Sequence, residues 1–457
     1  LLIANDRFGS RPLFYYGDRD KLVFGTQCGP LLEFKEIGRE IDTQAMFEFF
    51  TFQRVFEDRT LFRSVKLLDP ATVLRFGGGT VSTSKYWSME YRPDSSLSRR
   101  EFAEELAATF SQAVRARVAG GEKAGLFLSG GLDSRAVLGA LKGVVDVECI
   151  TVADLINREV QIANRIAHAA GSRHHYIERS EGHYVDIVDE AVRVGGGLFV
   201  YAHAHFIGLF DRVRPICDVV FHGFDPETLF RGTNLPWKKF SAGGRTMDLR
   251  SLKPLHHDDL VDSLLENVKS STWGLDPGRL FAGSYRKELP SSIREMVSRH
   301  VRGTERIESA YNRYDLFVVH PRMRHRAALF VISMRPYVRE RTVSCDNNLL
   351  DLYLRMPPEL RADPGLWTDA LRILDADVAG VPDANTGLSP YAPYPVIFAR
   401  RVLDGLGNVI QRHSLHTRGS WPNYKAHIRH NRRFRALVQD TLRDPECLDP
   451  SVFDRAE

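Results

Sequence analysis

The feature that most constrains the fold of this chain is a glycine-rich segment at residues 127–134, which reads Phe-Leu-Ser-Gly-Gly-Leu-Asp-Ser. It stands between a short apolar run and a helical pattern, so a strand, a tight turn and a helix are predicted. At such a turn, Gly130 and Gly131 let backbone N–H groups approach a phosphate with no Cβ in the way. The hydroxyls of Ser129 and Ser134 add donors, and the positive end of the helix faces the anion. The segment therefore predicts a phosphate-binding loop.

Asp133 lies inside this loop, where a carboxylate alone would repel phosphate. It makes sense as a ligand of Mg²⁺, which prefers one or two carboxylates together with phosphate oxygens. The alternative is a plain glycine-rich turn that happens to follow a strand. A Ser-Gly-Gly-x-Asp-Ser sequence in a strand-and-helix context favours the phosphate-binding interpretation.

Around the loop, the pattern alternates between strands and helices. Short apolar runs predict strands, and periodic apolar residues predict helices between them, one from Ser134 to Lys142 and one with Val160, Ala163, Ala167 and Ala170 on one face. The strands are predicted at 125–128, 147–152, 175–178 and 218–222. Such alternation favours α/β architecture with a doubly wound parallel sheet, whose ligands lie beyond the carboxyl ends of the strands. From about residue 245 the chain is predicted to be mainly helical, with proline-rich breaks around 357–364 and 390–395.

The front of the chain has a different character. Short apolar or aromatic runs predict strands at 1–4, 13–16, 21–25 and 72–76, with a hairpin turn at 17–20. A polar, proline-bearing stretch at 92–98 is typical of a linker, and its Ser98 is predicted to cap an amphipathic helix over 99–118. We therefore predict a β-rich domain at 1–91 and a second domain at 99–457.

Composition narrows the class of protein. The chain has 457 residues, a net charge of +4 and 43% apolar residues, as expected for a globular protein with a sizeable core. Its five cysteines show neither a disulfide framework nor metal-ligand spacing, which indicates reduced thiols and a cytoplasmic location. No apolar run is long enough for a membrane span, and no signal peptide is visible. Because the sequence begins without Met, apparently inside a strand, we take it to be a fragment.

Two further clusters have competing interpretations. The pair His203 and His205, with His222 downstream, is compatible with a metal site, but histidines in this pattern more often pack in the core or face a substrate. The region 195–205 either lines an acceptor pocket or is plain structure. The basic stretch Lys425–Arg435 favours a solvated helix face over a nucleic-acid surface, because no aromatic residues interleave with its charges.

Residues 127–134 resemble the pyrophosphate loop of the ATP-pyrophosphatase superfamily, whose members cleave ATP between the α and β phosphates. Residues 5–15, Asn-Asp-Arg-Phe-Gly-Ser-Arg-Pro-Leu-Phe-Tyr, resemble a motif of the class II glutaminase domain of asparagine synthetases. Residues 22–26, 67–71 and 86–87 resemble later parts of that domain. This order of segments resembles the asparagine synthetase family, here with a glutaminase-like domain that is cut short at its front.

Further segments of the second part agree with this resemblance. Glu159, Ala163, Ile166, Ala167 and His174 resemble the family's helix and histidine after the second strand. Residues 223–232 resemble its glycine-rich loop that ends in Asp-Glu-Leu-Phe-Gly-Gly. Later matches are residues 335–337 with Asp346, and residues 356–361. The resemblance covers residues 1 to about 390.

The resemblance implies a fold, cofactors and site residues. It implies an N-terminal-nucleophile glutaminase-like domain followed by an ATP-pyrophosphatase domain, with ATP and Mg²⁺ bound in the second. Asp133 and Glu227 are implied as metal ligands and, with Arg372, as catalytic residues. The ATP-binding residues implied are Leu128, Ser129, Gly130, Gly131, Asp133, Ser134, Val152 and Gly223.

The chain departs from the family pattern at several positions. Glu227 stands where the family has a second metal-binding aspartate, and Phe224 replaces a carboxylate implicated in amine activation or substrate binding. Thr368 replaces a lysine that stabilises charge on the transferring phosphates; the alternatives for that role are Arg339, Arg361 and Arg372. The glutaminase also needs an N-terminal cysteine with a free amine, and Cys28 lies in mid-chain.

These residues support two hypotheses of different class. The first is an ATP-dependent amide-forming ligase that adenylates a carboxylate and takes glutamine-derived nitrogen, ammonia or another amine. Asparagine formation is the family default; Phe224 and Thr368 keep open another carboxylate, as in macrolactam, secondary-metabolite or polysaccharide pathways. The second is a catalytically inactive nucleotide-binding protein. Small-molecule partners are expected and nucleic acid or membrane partners are not, while a homodimer is left open.

Overall fold

The computed structural model describes residues 1–200, 203–242, 245–268, 277–325, 329, 331–410 and 424–454. The front part is β-rich, as predicted. Its elements are β1 (Leu2–Ala4), β2 (Phe14–Gly17), β3 (Leu22–Gly25), α1 (Thr43–Phe52), β4 (Lys66–Leu67), β5 (Thr72–Gly77) and β6 (Thr80–Lys85), with a 3₁₀ helix at Gly29–Glu33.

The front strands form two antiparallel sheets, ordered β1-β5-β6 and β3-β2-β4. The predicted turn at 17–20 joins β2 to β3. There the Asp18 carboxylate accepts the backbone N–H groups of Asp20 and Lys21, each at 2.9 Å. Side-chain acceptors of this kind favour a tight turn, so the hairpin prediction is confirmed.

The second part alternates strands and helices and then becomes mainly helical. Its strands are β7 (Ala124–Phe127), β8 (Val147–Ala153), β9 (Arg173–Glu178), β10 (Val219–His222), β11 (Trp237–Ala242), β12 (Arg245–Leu252) and β13 (Arg339–Thr342). Its helices are α2 (Arg99–Arg115), α3 (Asp133–Leu141), α4 (Arg158–Ala169), α5 (His183–Asp186), α6 (Val188–Gly195), α7 (Phe210–Val213), α8 (Pro226–Phe230), α9 (Leu260–Val268), α10 (Tyr285–Gly303), α11 (Ala310–Met323), α12 (Asn347–Arg355), α13 (Pro358–Arg361), α14 (Pro364–Leu374), α15 (Ala376–Gly380), α16 (Tyr394–Ile410), α17 (Tyr424–His430) and α18 (Arg432–Arg443).

A parallel five-stranded sheet organises this second part, in the order β13-β10-β7-β8-β9. Strands β7 to β10 lie where the apolar runs predict them, so the predicted α/β class with a parallel sheet is confirmed. The edge strand β13 was not predicted, because its sequence Arg-Glu-Arg-Thr carries no apolar run. Charged residues are common on edge strands, where they discourage pairing with other chains. The β11–β12 hairpin was also missed.

The helix after the linker begins as predicted. Ser98 accepts the backbone N–H of Glu101, while the Glu101 carboxylate accepts the Ser98 N–H at 2.8 Å, which forms a capping box. Further along α2, Phe110 meets Trp367 of α14 edge-on at 5.4 Å, and Trp367 stacks on Phe230 at 5.9 Å. Burial of each large side chain contributes roughly 1.5–3 kcal/mol. This packing fixes helix α8.

The front part packs on the second part through buried apolar side chains. Phe14 and Leu31 share one cluster with Tyr184 of α5. Phe47 of α1 lies in another cluster, which also contains Phe317 of α11. The two parts of the chain are therefore joined by an apolar interface as well as by the linker.

All five cysteines lie in the described ranges; none forms a disulfide, and Cys28, Cys149 and Cys217 are buried. Burial raises the pKa of the Cys28 thiol to about 12, so this thiol is not an activated nucleophile. Of the helices within those ranges, none combines the length and apolarity that a bilayer crossing would need.

Candidate active site

A cleft opens at the carboxyl ends of strands β7, β8 and β10, where ligands bind in doubly wound sheets. Its volume is about 490 Å³, within the usual range for a ligand pocket. Among its lining residues are these predicted site residues: Leu128, Ser129, Gly131, Asp133, Ser134, Val152, Gly223 and Glu227. Sequence segments nearly 100 residues apart are therefore brought together in one cleft.

The glycine-rich loop holds its own shape through hydroxyl contacts. The Ser129 N–H donates to Ser134 Oγ at 3.0 Å, and the two serine hydroxyls are 2.9 Å apart. The Gly131 N–H donates to Ser129 Oγ at 3.2 Å. These contacts fix the loop and place both serine hydroxyls at the N-terminal end of α3, whose dipole favours an anion.

Gly130 supports the loop from behind and does not line the cleft. A Cβ at this position would lie 2.4 Å from the Cβ of Ala384. The Ala384 N–H donates to the Gly130 carbonyl at 3.0 Å. Gly130 therefore lets the loop lie close against the segment after α15, and this contact holds the loop in place.

Asp133 is buried at the edge of the cleft, and only one of its two carboxylate oxygens has a hydrogen-bond partner among the described residues. Its Oδ2 accepts Nη1 of Arg231 at 3.0 Å, while no described residue hydrogen-bonds its buried Oδ1. Burial raises the pKa of Asp133 to about 6, Arg231 opposes that rise, and the negative charge of Glu227 adds to it. A divalent cation would satisfy the orphaned oxygen and relieve the repulsion between the two carboxylates.

Glu227 of α8 is the second carboxylate at this point of the cleft. Its Oε1 lies 3.7 Å from Nη2 of Arg322. Two carboxylates fit a Mg²⁺ ion that takes its remaining ligands from phosphate and water. Asp133 and Glu227 are thus the residues here that would hold the metal.

Asp225 lines the cleft as well and was not predicted. It is buried, and its backbone φ is 77°, in the left-handed region that non-glycine residues seldom occupy. It immediately precedes α8, at whose first position Pro226 stands. Such conformations tend to persist at functional sites, where surrounding structure enforces them. The sequence alone does not distinguish Asp225 from other aspartates, because its left-handed backbone is visible only in the structure.

Aromatic and histidine side chains form another part of the wall. Phe206 stacks on Phe127 at 3.8 Å, and Phe224 lies 4.7 Å from His222. His205, from the region 195–205 for which an acceptor pocket and plain structure were both open, also lines the cleft. The hydroxyl of Tyr184 lies 3.0 Å from His205 Nδ1.

These histidines do not gather as metal ligands. Burial lowers the pKa of His205, so this imidazole is neutral, and the His222 Nε2 lies 3.1 Å from Thr342 Oγ1. No group of three or more histidine, cysteine or acidic side chains suited to a metal occurs in the ranges that the structure describes. Gly195, Gly196 and Gly197, in turn, pack against Phe199, Cys28 and Leu61 and do not line the cleft.

The positions suggested for the phosphate-stabilising charge are not in the cleft lining. Thr368 Oγ1 donates to the Gly365 carbonyl at 2.9 Å, within α14. Arg372 lies over the ring of Tyr391, 5.3 Å from its centroid. The structure therefore does not bring the predicted catalytic Arg372 together with Asp133 and Glu227.

The two other arginines considered for that charge are also engaged elsewhere. Arg339 pairs with Glu122 at 2.7 Å on the surface. Arg361 is buried in an ion pair with Asp315. Of the described residues that line the cleft, Arg231 is the arginine, and the sequence pattern did not single it out.

The basic C-terminal stretch resembles a solvated surface. Arg432 and Arg435 are exposed, whereas Phe434 of the same helix, α18, is buried. Arg433 pairs with Asp186 at 2.5 Å. This alternation is that of an amphipathic helix on the outside of a domain.

The parallel sheet, the glycine-rich loop and the cleft at the strand ends define an α/β fold of the ATP-pyrophosphatase type. Comparison with protein families narrows this class. Residues 105–374 match the family model described as asparagine synthase, and residues 1–87 match a glutamine amidotransferase domain. Because the first match spans more than half of the chain, this protein belongs to the asparagine synthase family.

Individual relatives are distant. The chain is 26% identical over 152 residues to a putative glutamine-hydrolyzing asparagine synthetase 2 of Methanocaldococcus jannaschii, covering 32% of this chain and 29% of that protein. It is 27% identical over 149 residues to the glutamine-hydrolyzing asparagine synthetase 3 of Bacillus subtilis, covering 32% and 24%. The matched segment thus spans less than a third of either relative. The NMN synthetase of Francisella tularensis matches at 15% identity with a TM-score of 0.24, over 50% of this chain and 96% of that one.

Proposed function

We propose that this protein is an ATP-dependent carbon–nitrogen ligase. A substrate carboxylate attacks the α-phosphorus of ATP, the bond to the bridging oxygen breaks, and pyrophosphate leaves with the electron pair. An amine then attacks the acyl carbon of the adenylate, the bond from that carbon to the phosphate oxygen breaks, and AMP leaves with the electron pair. The amine nitrogen loses one proton to solvent as the amide forms. The observation that carries this proposal is the Asp133 carboxylate, with one oxygen unpartnered, beside a loop whose two serine hydroxyls meet at the N-terminal end of α3.

In this reaction the loop residues hold the phosphates. The backbone of Gly131 and the hydroxyls of Ser129 and Ser134 face the same end of α3, whose dipole favours negative charge. Asp133 and Glu227 would hold Mg²⁺, which would neutralise phosphate charge when bound. Leu128, Val152 and Gly223 provide the remaining contact surface for the nucleotide.

The acceptor side of the cleft favours a carboxylate other than aspartate. Phe224 stands where the family has a carboxylate, and its ring cannot accept a proton or bind an ammonium group by an ion pair. Together with Phe206 it gives this wall an apolar surface. We therefore propose that the substrate is a carboxylic acid that is larger or less polar than aspartate, with asparagine formation as the alternative.

The match of residues 1–87 to a glutamine amidotransferase domain supports glutamine-derived ammonia as the nitrogen donor, with free ammonia or an organic amine as the alternatives. Glutamine hydrolysis by the class II mechanism needs a cysteine with a free α-amine, which the mid-chain Cys28 does not have. We propose that residues 1–91 form a glutaminase-like domain and residues 99–457 the ligase domain. The unpaired cysteines are consistent with a reducing cytoplasm.

The proposal is tested by measuring pyrophosphate release from ATP and Mg²⁺, with ammonia and a panel of carboxylates that includes aspartate. We expect release that requires one of the carboxylates and falls by at least about 100-fold in Asp133→Ala. Asp377→Ala is the matched control, since that side chain is 80% exposed. Release that is unchanged in Asp133→Ala would contradict the proposal.

A second candidate function is nucleotide binding without catalysis, favoured by Thr368 at the position of the family's lysine. It predicts that Mg·ATP binds in an Asp133-dependent way while no carboxylate in the panel supports pyrophosphate release. Isothermal titration with Mg·ATP, run beside the release assay on the same preparation, distinguishes the two functions.

A further inference from the structure

We propose that Arg231 supplies the positive charge that stabilises the transferring phosphates in this protein, at a site different from that of the family's lysine. This inference rests on the proposed ligase function and adds a catalytic residue to it. Arg231 is the residue that directly follows α8, so its backbone is fixed by the same helix that carries Glu227. Its side chain lines the cleft.

The location of Arg231 is what distinguishes it from the other candidates. Among the described residues that line the cleft, it is the one lysine or arginine. Its Nη1 lies 3.0 Å from Asp133 Oδ2, and its side chain is 27% exposed, against 11% for Asp133. The guanidinium therefore sits beside the loop that faces the phosphates, with part of its surface open to a ligand.

The negative charges around Arg231 explain how it is held there. Asp133 pairs with it at 3.0 Å, and the negative charges of Glu227 and Asp383 also attract it. These carboxylates keep a cation at the mouth of the loop before substrate arrives. A guanidinium also presents several N–H donors in a plane, which suits two phosphate oxygens at once.

The pairing with Asp133 holds the guanidinium beside the glycine-rich loop. Asp133 accepts one N–H of Arg231 through Oδ2, and a divalent cation would be held through its other oxygen, Oδ1. The remaining N–H donors of the planar guanidinium are suited to the phosphate oxygens. When the bond between the α-phosphorus and the bridging oxygen breaks, the leaving pyrophosphate gains charge that Arg231 stabilises.

The test compares Arg231→Gln, Arg231→Lys and Arg372→Gln in steady-state pyrophosphate release, with Arg302→Gln as a surface control that is 59% exposed. We expect Arg231→Gln to lower kcat by about 100-fold and to raise KM for ATP by about tenfold, so that the larger effect falls on the chemical step. Arg231→Lys should recover part of the loss. In Arg231→Ala, added guanidinium ion should restore activity, a rescue that a purely structural role would not give.

Two outcomes overturn the inference while leaving the ligase function intact: wild-type kcat in Arg231→Gln, or the whole loss appearing in Arg372→Gln. If wild-type protein releases no pyrophosphate, the proposed function fails, and ligand binding decides the inference separately. Arg231→Gln should then weaken Mg·ATP by about tenfold, as expected for losing a hydrogen bond between charged groups, and leave adenosine unaffected. Equal affinity of both proteins for Mg·ATP would reject the role of Arg231.

Discussion

Gly223 lies so close to Ser134 that a Cβ added to the glycine would stand 2.2 Å from the Ser134 amide nitrogen and 2.6 Å from its Cα. Gly223 directly follows strand β10, and Ser134 is in the first turn of α3. The contact holds the turn after β10 against the N-terminal end of α3, the helix that follows β7. Because the neighbours are backbone atoms, the space cannot be recovered by a side-chain rotation.

We predict that Gly223→Ala displaces the loop and weakens Mg·ATP binding by at least about tenfold. Overpacking of this kind typically costs 1–3 kcal/mol, so the free energy of unfolding should fall by about that amount. Titration calorimetry and chemical denaturation measure the two effects. Gly120→Ala is the control, since a Cβ there meets nothing within 4 Å and its φ is not left-handed. Unchanged nucleotide affinity in Gly223→Ala would show that the close contact has no bearing on the site.

A second prediction concerns the choice of acid. Phe224→Glu places a carboxylate at the position where the family has one, so an acceptor with an ammonium group gains an ion-pair partner. We expect pyrophosphate release with aspartate to rise by at least about tenfold, as one charged contact contributes roughly 1.5–3 kcal/mol. Phe224→Leu, which stays apolar, should not show this gain. Wild-type protein that already uses aspartate better than any other acid would be incompatible with the prediction.

The sequence predicts those parts of the fold whose signal lies within a short stretch of neighbouring residues. Strands β7, β8 and β10 consist mostly of apolar residues because both faces of a parallel sheet are covered. The Ser98 cap is equally local, since its partner is three residues away. Strand β13 has no such signal, because an edge strand needs no apolar run; its place follows from pairing with β10.

The residues of the candidate site also fall into two groups: those that a short sequence segment predicts, and those that only the folded chain brings together. Ser129 and Asp133 are predictable because a phosphate loop combines particular residue types in a short segment. Arg231 is not, because its role depends on a contact across 98 residues of sequence. Arg372 shows the converse: its sequence context is correct, but its side chain lies over Tyr391, outside the cleft lining.

A third prediction concerns acid sensitivity. His183 is buried in α5, and burial, followed by the nearby charge of Arg179, lowers its pKa to about 4. The unfolded chain takes up this proton near the ordinary histidine pKa, whereas the folded chain resists it until about pH 4. The contribution to stability is therefore complete above pH 6.5 and is lost as the pH falls toward 4.

We expect His183→Phe to lose less of its free energy of unfolding than wild type between pH 7.5 and 4.5, by up to about 3 kcal/mol. Chemical denaturation at the two pH values measures this difference. His168→Phe is the matched substitution at an exposed histidine and should follow the wild-type pH dependence. Parallel pH profiles for His183→Phe and wild type would mean that another group controls the acid transition.

The last prediction concerns the joint between the two parts of the chain. Arg324 follows α11 and is buried; its Nη2 donates to the Leu67 carbonyl at 3.1 Å, and its Nη1 lies 3.2 Å from Asp69 Oδ1. A further hydrogen bond reaches the carbonyl of Glu57. All three partners belong to the front part, so this one guanidinium ties it to the second part.

Arg324→Met should therefore remove the donor that Arg324 offers to two carbonyls and to the partly exposed Asp69, which keeps its pair with Lys85, and lower the free energy of unfolding by about 1–3 kcal/mol. Chemical denaturation gives the loss, and limited proteolysis should show earlier cleavage within residues 1–91. Arg299→Gln removes the pair with Glu57 at 3.1 Å, but that arginine is 60% exposed, so it should change stability by less than about 1 kcal/mol. Similar losses in both variants would mean that burial of Arg324 adds nothing to the joint. A large loss in Arg324→Met alone, with the front part cleaved first, would establish the guanidinium as the polar link that holds the two parts together.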